Sequence, residues 1–116
     1  MEYFLDLHLK SAANIKKHWR ERAMITKVLR SAAYWETVKN INKIHEITPP
    51  LVITLTRISP RKLDEDNLLY AFKPIRDGIA DVLWPELSHV KRDDHDGVQW
   101  LYTQEKGESK IKISIK

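Results

Sequence analysis

The first ten residues alternate. Tyr3, Leu5, Leu7 and Leu9 fall on one side, and Asp6, His8 and Lys10 on the other. A period of two belongs to a strand with one buried face, so residues 3–10 are read as a half-buried strand. Ser11-Ala12-Ala13-Asn14 breaks the alternation, and a helix is expected from about Arg20 to about Ile44. Within it Met24, Val28, Ala32 and Trp35 recur at helical spacing beside Ile25 and Leu29, which marks them as the core-facing stripe. Arg20, Lys27 and Arg30 form a basic strip on another side. Thr48-Pro49-Pro50 should end the helix, because proline lacks an amide donor and restricts the residue before it.

Leu51-Val52-Ile53-Thr54-Leu55-Thr56 is rich in β-branched residues and reads as a central strand. Ser59-Pro60-Arg61-Lys62 is a basic loop. A second helix is expected from about Asn67 to Leu83, with Leu68, Phe72, Ile75, Ile79 and Val82 as its apolar stripe. Asp66, Tyr70, Lys73, Asp77 and Asp81 fall on its opposite side. Pro74 should kink this helix or restart it. After a loop over 84–92, Val98, Trp100, Tyr102 and Gln104 alternate with Gln99, Leu101, Thr103 and Glu105. A turn at Lys106-Gly107-Glu108-Ser109 leads to a strand with Ile111, Ile113 and Ile115 on one face, so a C-terminal hairpin is expected. The order β-α-β-α-β-β predicts an α+β fold. Residues 1–116 would form a single domain, its helices covering one face of a mixed four-stranded sheet.

Composition narrows the chemistry. The 116 residues suffice for one core, and the hydrophobic (42%) and charged (31%) fractions are those of a soluble protein. Cysteine is absent, which excludes disulfides, thiol nucleophiles and Cys-bound zinc. No run approaches the ~18–20 apolar residues of a membrane span. The opening Met1-Glu2-Tyr3-Phe4-Leu5-Asp6 lacks the pattern of a signal peptide, so a cytoplasmic protein is expected. With only three glycines there is no phosphate-cradling loop, and no serine lies near a convincing His-acid pair. The aromatics Trp19, Tyr34, Trp35, Trp84 and Trp100 are read as core or interface residues rather than base-stacking platforms.

Charge is unevenly spread. Residues 1–63 hold 12 Lys/Arg against 5 Asp/Glu, a net +7; residues 64–116 hold 8 against 11, a net −3. The acids gather in two knots, Asp64-Glu65-Asp66-Asn67 and Asp93-Asp94-His95-Asp96. Crowded carboxylates repel unless something neutralises them, and a hard divalent cation does so. An acidic cluster on an otherwise basic chain suggests a metal-dependent enzyme acting on a polyanion, with nucleic acid the obvious candidate. In an extended segment Asp64 and Asp66 would project to one side and share a cation. Helix capping by Asp66 or Asn67 is the plainer alternative, and Asp93-Asp94 read alone would be a solvated turn. A calcium loop fails, because setting Gly97 sixth puts Arg92 first and Thr103 twelfth. His95 stands without the companions of a zinc site and is read as a turn residue. Lys73 on the polar face could hold a phosphate or simply pair with Asp77.

These residues together resemble the RusA-like Holliday junction resolvases of phages and prophages. The likeness lies in Leu63-Asp64-Glu65-Asp66-Asn67-Leu68-Leu69, then Lys73 and Asp77, then Asp93-Asp94 before a strand. The segment Lys73-Pro74-Ile75-Arg76-Asp77-Gly78-Ile79-Ala80-Asp81 is similar to a phage-encoded branch, and the match covers residues 51–105. The resemblance implies a homodimeric Mg²⁺- (or Mn²⁺-) dependent endonuclease that nicks branched double-stranded DNA, with no small-molecule cofactor and no membrane. Its acidic site residues would be Asp64, Asp66 and Asp94, with Asp93 and Asp77 as neighbours. The family's lysine maps to Lys73 counting back from Asp77, but to Tyr70 counting forward from the Asp-x-Asp-Asn run. Lys16, Lys17, Arg20, Arg61 and Lys62 would hold backbone phosphates.

Overall fold

A computed structural model describes residues 1–10, 19–41, 50–85 and 97–116. The elements run β1 (Glu2–Leu5), α1 (Trp19–Ile41), β2 (Leu51–Ile58), α2 (Glu65–Leu83), β3 (Val98–Glu105) and β4 (Lys110–Ile115). The strands form one mixed sheet in the order β1-β4-β2-β3. The fold is α+β with two helices and four strands, as the hydrophobic pattern predicts.

β2 is central because its side chains can be covered on both flanks. It pairs in parallel with β3, from Leu51 opposite Val98 to Ile58 opposite Glu105. It pairs antiparallel with β4, Ile53 opposite Ile115 and Ile58 opposite Lys110. Ile53, Leu55, Ile111 and Ile113 are fully buried and meet Leu68, Phe72, Ile75 and Ile79 of α2 in one core. The unit β2-α2-β3 is therefore a parallel crossover, the connection that parallel neighbours require.

The expected C-terminal hairpin does not form. β3 and β4 are not neighbours, since β2 lies between them. The connecting turn passes over the end of β2, where Ser59 N donates to Glu105 O at 3.0 Å and Gly107 N to Ser59 O at 3.4 Å. A Cβ on Gly107 would stand 3.0 Å from Ile58 Cγ2, so the crossing is tight. A short turn between two alternating runs is the sequence mark of a hairpin, but the better-buried β2 takes the place between them.

β1 is shorter than the alternation suggests and ends at Leu5. Leu9 is nevertheless buried, held by Arg57 Nε, which donates to its carbonyl at 2.7 Å. α1 also departs from expectation, for the stripe Met24, Val28 and Trp35 faces solvent, each about 60% exposed or more. Ala33 and Thr37 are buried instead, with Leu29 packed at the edge of the core. The cause lies on α2. Gly78 lets the helices approach so closely that a Cβ there would collide with the Arg30 carbonyl oxygen and press on Ala33 Cβ. Small residues thus select the contact face, and Arg30 is turned toward α2 rather than held on a basic outer strip. α2 buries Leu68, Phe72, Ile75 and Ile79 of its predicted stripe, leaves Val82 half-buried, and runs through Pro74 without a restart. The expectations for Thr48-Pro49-Pro50, and for the loop beyond Pro85, lie outside the described residues.

Candidate functional site

The chain leaves β2 into a loop, and two side chains fix where that loop goes. Arg57 is buried in the last turn of sheet and donates from its NH1 to Arg61 O at 2.6 Å. Gln104 of β3 grips the next stretch at both ends of its amide. Leu63 N donates to Gln104 Oε1 at 2.8 Å, and Gln104 Nε2 donates to Leu63 O at 2.9 Å. Asp64 follows directly, so the first acidic knot is set at the mouth of α2 by these clamps.

Asp64 is the N-cap residue, with extended backbone (φ −60°, ψ 151°), and its carboxylate makes no capping hydrogen bond. Only its carbonyl is used, accepting from Leu68 N at 2.9 Å. Glu65 and Asp66 lie in the first turn, where the helix dipole favours negative charge. The extended geometry that would aim Asp64 and Asp66 the same way therefore holds only at Asp64. The helix begins two residues earlier than the pattern suggested, and neither Asp66 nor Asn67 is its cap. Asp64, Glu65 and Asp66 are all exposed.

Along the exposed strip of α2, Tyr70 and Lys73 follow Asp66 at successive turns. Tyr70 is 71% exposed. Lys73 Nζ lies 3.0 Å from Asp77 Oδ1. Asp77 and Asp81 turn toward α1. Arg30 donates through Nε and NH2 to the two oxygens of Asp81, at 2.7 and 2.8 Å, and its NH1 lies 4.0 Å from Asp77 Oδ2. These two acids thus tie the helices together. Asp77 is a neighbour of Lys73 but does not stand in the open with Asp66. Asn67 is half-buried beside the strip.

Of the expected basic contacts, Arg61 and Lys62 are exposed in the loop before Asp64, and Arg20 is exposed at the start of α1, its guanidinium 5.2 Å from the centre of the Trp19 ring. Lys16, Lys17, Asp93, Asp94 and His95 lie outside the described residues. Gly97, which follows the second knot, is bonded to Leu51 at the start of β2 (Leu51 N to Gly97 O, 2.8 Å). Leu63 sits at the other end of the same ladder. Among the aromatics Trp84 is buried as expected, whereas Trp19 and Trp35 are exposed. Trp100 lies beneath Arg76, 4.9 Å from its guanidinium, and Arg76 NH1 donates to Tyr102 OH at 2.9 Å.

Among the described residues no group of three His, Asp or Glu stands ready for a metal ion. Asp64 and Asp66 fit Mg²⁺ in kind, because that ion takes one or two carboxylates and completes its shell with water and phosphate oxygens. No helix among the described residues is long and apolar enough to cross a membrane.

Sequence reading passed over Arg57 and Gln104. Each had a signal: a charged residue closing a buried strand, and a polar residue on the inward side of an alternating one. Compared with known protein families, curated proteins and solved structures, the chain finds no match in any of the three.

Proposed function

We propose that this chain is a metal-dependent, structure-specific DNA endonuclease of the RusA-like type, cutting four-way junctions during recombination and repair. The observation that carries the reading is the exposed strip that opens α2. Asp64 and Asp66 stand there with Tyr70 and Lys73 on the turns beyond, next to the basic loop of Arg61 and Lys62. Two open carboxylates with a cation about two turns away suit a phosphodiester whose charge must be both held and offset.

Asp64 and Asp66 would hold the ion, Mg²⁺ or Mn²⁺, with Asp94 as a further ligand and Asp93 as its neighbour. Such an ion, when bound, activates water and polarises the phosphodiester. Lys73 offsets the charge that grows on the phosphoryl oxygens in the transition state. Its ammonium is exposed but pairs with the half-buried Asp77, so a phosphate would compete with that carboxylate for it. Arg20, Arg61, Lys62, Lys16 and Lys17 grip backbone phosphates without regard to sequence. Two subunits related by a two-fold axis place one site on each symmetric strand of a junction. Met24, Val28 and Trp35 leave apolar surface on α1 for such a partner. The protein acts in the cytoplasm of a bacterial or phage-infected cell.

The test is nicking of a synthetic four-way junction with Mg²⁺ or Mn²⁺, with chelator as control. Symmetric nicks on the junction but not on linear duplex support the reading; an intact junction at micromolar protein overturns it. A second reading, a protein that binds branched DNA without cutting it, is favoured by Tyr70 at the directly counted lysine position. It predicts salt-sensitive junction binding with no cleavage under either ion.

A further inference from the structure

A cleft of about 500 Å³ opens between the N-terminal halves of α1 and α2. That is the size of small-molecule sites, which run from ~300 to ~1,000 Å³. Three cations line it: Lys10 in the segment after β1, Arg22 on α1, and Lys73 on α2, which also pairs with Asp77. No carboxylate is among its described lining residues. Its floor is apolar, with Leu29 and Pro74, and Tyr70 stands at its rim, largely exposed. Cations around an apolar floor beside an open phenol ring suit a ligand that is anionic at one end and flat and apolar at the other.

We infer that this cleft takes one unpaired nucleotide of a DNA strand, its phosphate held by Lys10, Arg22 and Lys73 and its base laid on Tyr70 and Pro74. The inference rests on the DNA reading above and adds to it how a branch point is told from plain duplex. In continuous duplex every base is stacked and paired, and none can enter a cleft between two helices without unstacking. At a branch point stacking is already interrupted, so extrusion costs less. Stacking on an aromatic ring then stabilises the extruded base without reading its identity. Asp66 lies one turn before Tyr70 on the same strip, so a nucleotide seated here brings its neighbouring phosphodiester to the acids at the mouth of α2. The cleft therefore selects structure and places the strand in one step.

The experiment uses a four-way junction carrying 2-aminopurine either at the branch point or mid-arm, with the whole protein, in chelator so that no strand is cut. Anisotropy reports affinity, and 2-aminopurine fluorescence reports unstacking from its neighbours. The expected result is a fluorescence change of at least 2-fold at the branch point and none mid-arm. Thr26→Trp, which fills the cleft from an exposed position on α1, and Tyr70→Ala, which removes the platform, abolish that change while junction affinity falls by less than ~10-fold, since most affinity comes from phosphates elsewhere. A branch-point signal that stays flat although the junction binds, or one that persists in Thr26→Trp, overturns the nucleotide cleft and leaves the DNA reading standing. Failure of the protein to bind the junction at all overturns both. Free thymidine 5′-monophosphate, titrated alone, is expected to bind no more tightly than millimolar; tighter binding than the junction would mark a site for a free nucleotide and overturn the strand assignment.

Discussion

Gln104 holds Leu63 as a neighbouring strand would, giving and taking one hydrogen bond with the same backbone unit. The side chain thus ties the loop, five residues past the end of β2, back to β3 and stops it from drifting before Asp64. Gln104→Ala leaves a part-buried N–H and C=O without these partners, and each such loss costs about 1–3 kcal/mol unless water replaces it. The variant is expected to lose about 1–2 kcal/mol in urea unfolding, with an unchanged slope. Gln99→Ala, on the exposed side of the same strand, should stay within about 0.5 kcal/mol of the parent. Equal effects at the two positions would remove the clamp from the account.

Gly78 sets two effects against each other. Alanine has the better helix propensity, by about 1 kcal/mol. Its Cβ, however, would collide with the backbone oxygen of Arg30, which cannot swing away as a flexible side chain can. Overpacking of this kind costs about 1–3 kcal/mol. The collision wins, and Gly78→Ala is expected to melt at a lower temperature than the parent. A higher melting temperature would mean the two helices cross less closely than described.

Lys73 separates binding from chemistry. Lys73→Ala is expected to lower single-turnover cleavage by roughly 10²-fold, the scale of one positioned charge in a transition state. Junction affinity should change by no more than one phosphate contact, with a salt slope change near one. Lys73 is itself exposed and Asp77 keeps Arg30 nearby, so thermal stability should change little. Normal cleavage by the variant would make Lys73 a plain surface residue.

The described residues that flank the two acidic knots in the chain, Leu63 and Gly97, stand at opposite ends of the β2–β3 ladder. Leu63 is clamped to Gln104, while Gly97 is bonded to Leu51. Seven residue steps along β3 separate Gly97 from Gln104, about 23 Å. A two-fold dimer can bring the first knot of one subunit to the second knot of the other. Mixing Asp64→Asn and Asp94→Asn subunits tests this. Shared sites would give each mixed dimer one intact site and restore single nicks. Sites contained within one chain would leave every site damaged and the junction whole.

Tyr3 gives the fold a dependence on alkaline pH. Thr37 directs its own hydroxyl to Ala33 O, so the Tyr3 hydroxyl donates to Thr37 Oγ1, at 2.7 Å. Burial raises the Tyr3 pKa well above its ordinary 10.0, and the negative charge of Glu36 adds to the rise. A raised folded pKa means the unfolded chain ionises first. The contribution to stability is whole below pH 10 and is lost as pH climbs toward the folded value. Relative to Tyr3→Phe, the parent should lose stability between about pH 10 and 11.5 in urea titrations. Parallel curves for the two proteins would rule the effect out.

Element types were largely legible, because strong periodicity survives packing. The stripe of Leu68, Phe72, Ile75 and Ile79 is buried as its spacing requires. What failed was choice among neighbours. Met24, Val28 and Trp35 repeat as regularly as a core stripe, but the close approach at Gly78 draws Ala33 and Thr37 inward instead. A repeat of small residues carries little hydropathy signal, so the true contact face stays quiet in the sequence. The hairpin failed for a related reason: a four-residue turn constrains distance, and crossing the end of β2 satisfies it as well as pairing would. Asp64 and Asp66 stood out as acids, yet only the fold showed that they begin a helix rather than share a strand face. Gln104 and Arg57 act through backbone atoms, which no pattern of side chains displays.

The place of β4 has a temporal consequence. Met1 and Ile115 exchange backbone hydrogen bonds across 114 positions, and among the described residues β4 is the only strand beside β1. In refolding, β2, α2 and β3 can assemble as a unit while the opening segment waits unpaired for β4 to dock. Until then Tyr3 and Leu5 have no sheet to cover, and β2 offers a bare edge to any passing strand. The slow step of folding should therefore be the late arrival of β4 between its two partners. Chains truncated within the β3–β4 turn should hold their helices yet aggregate through the vacant seam.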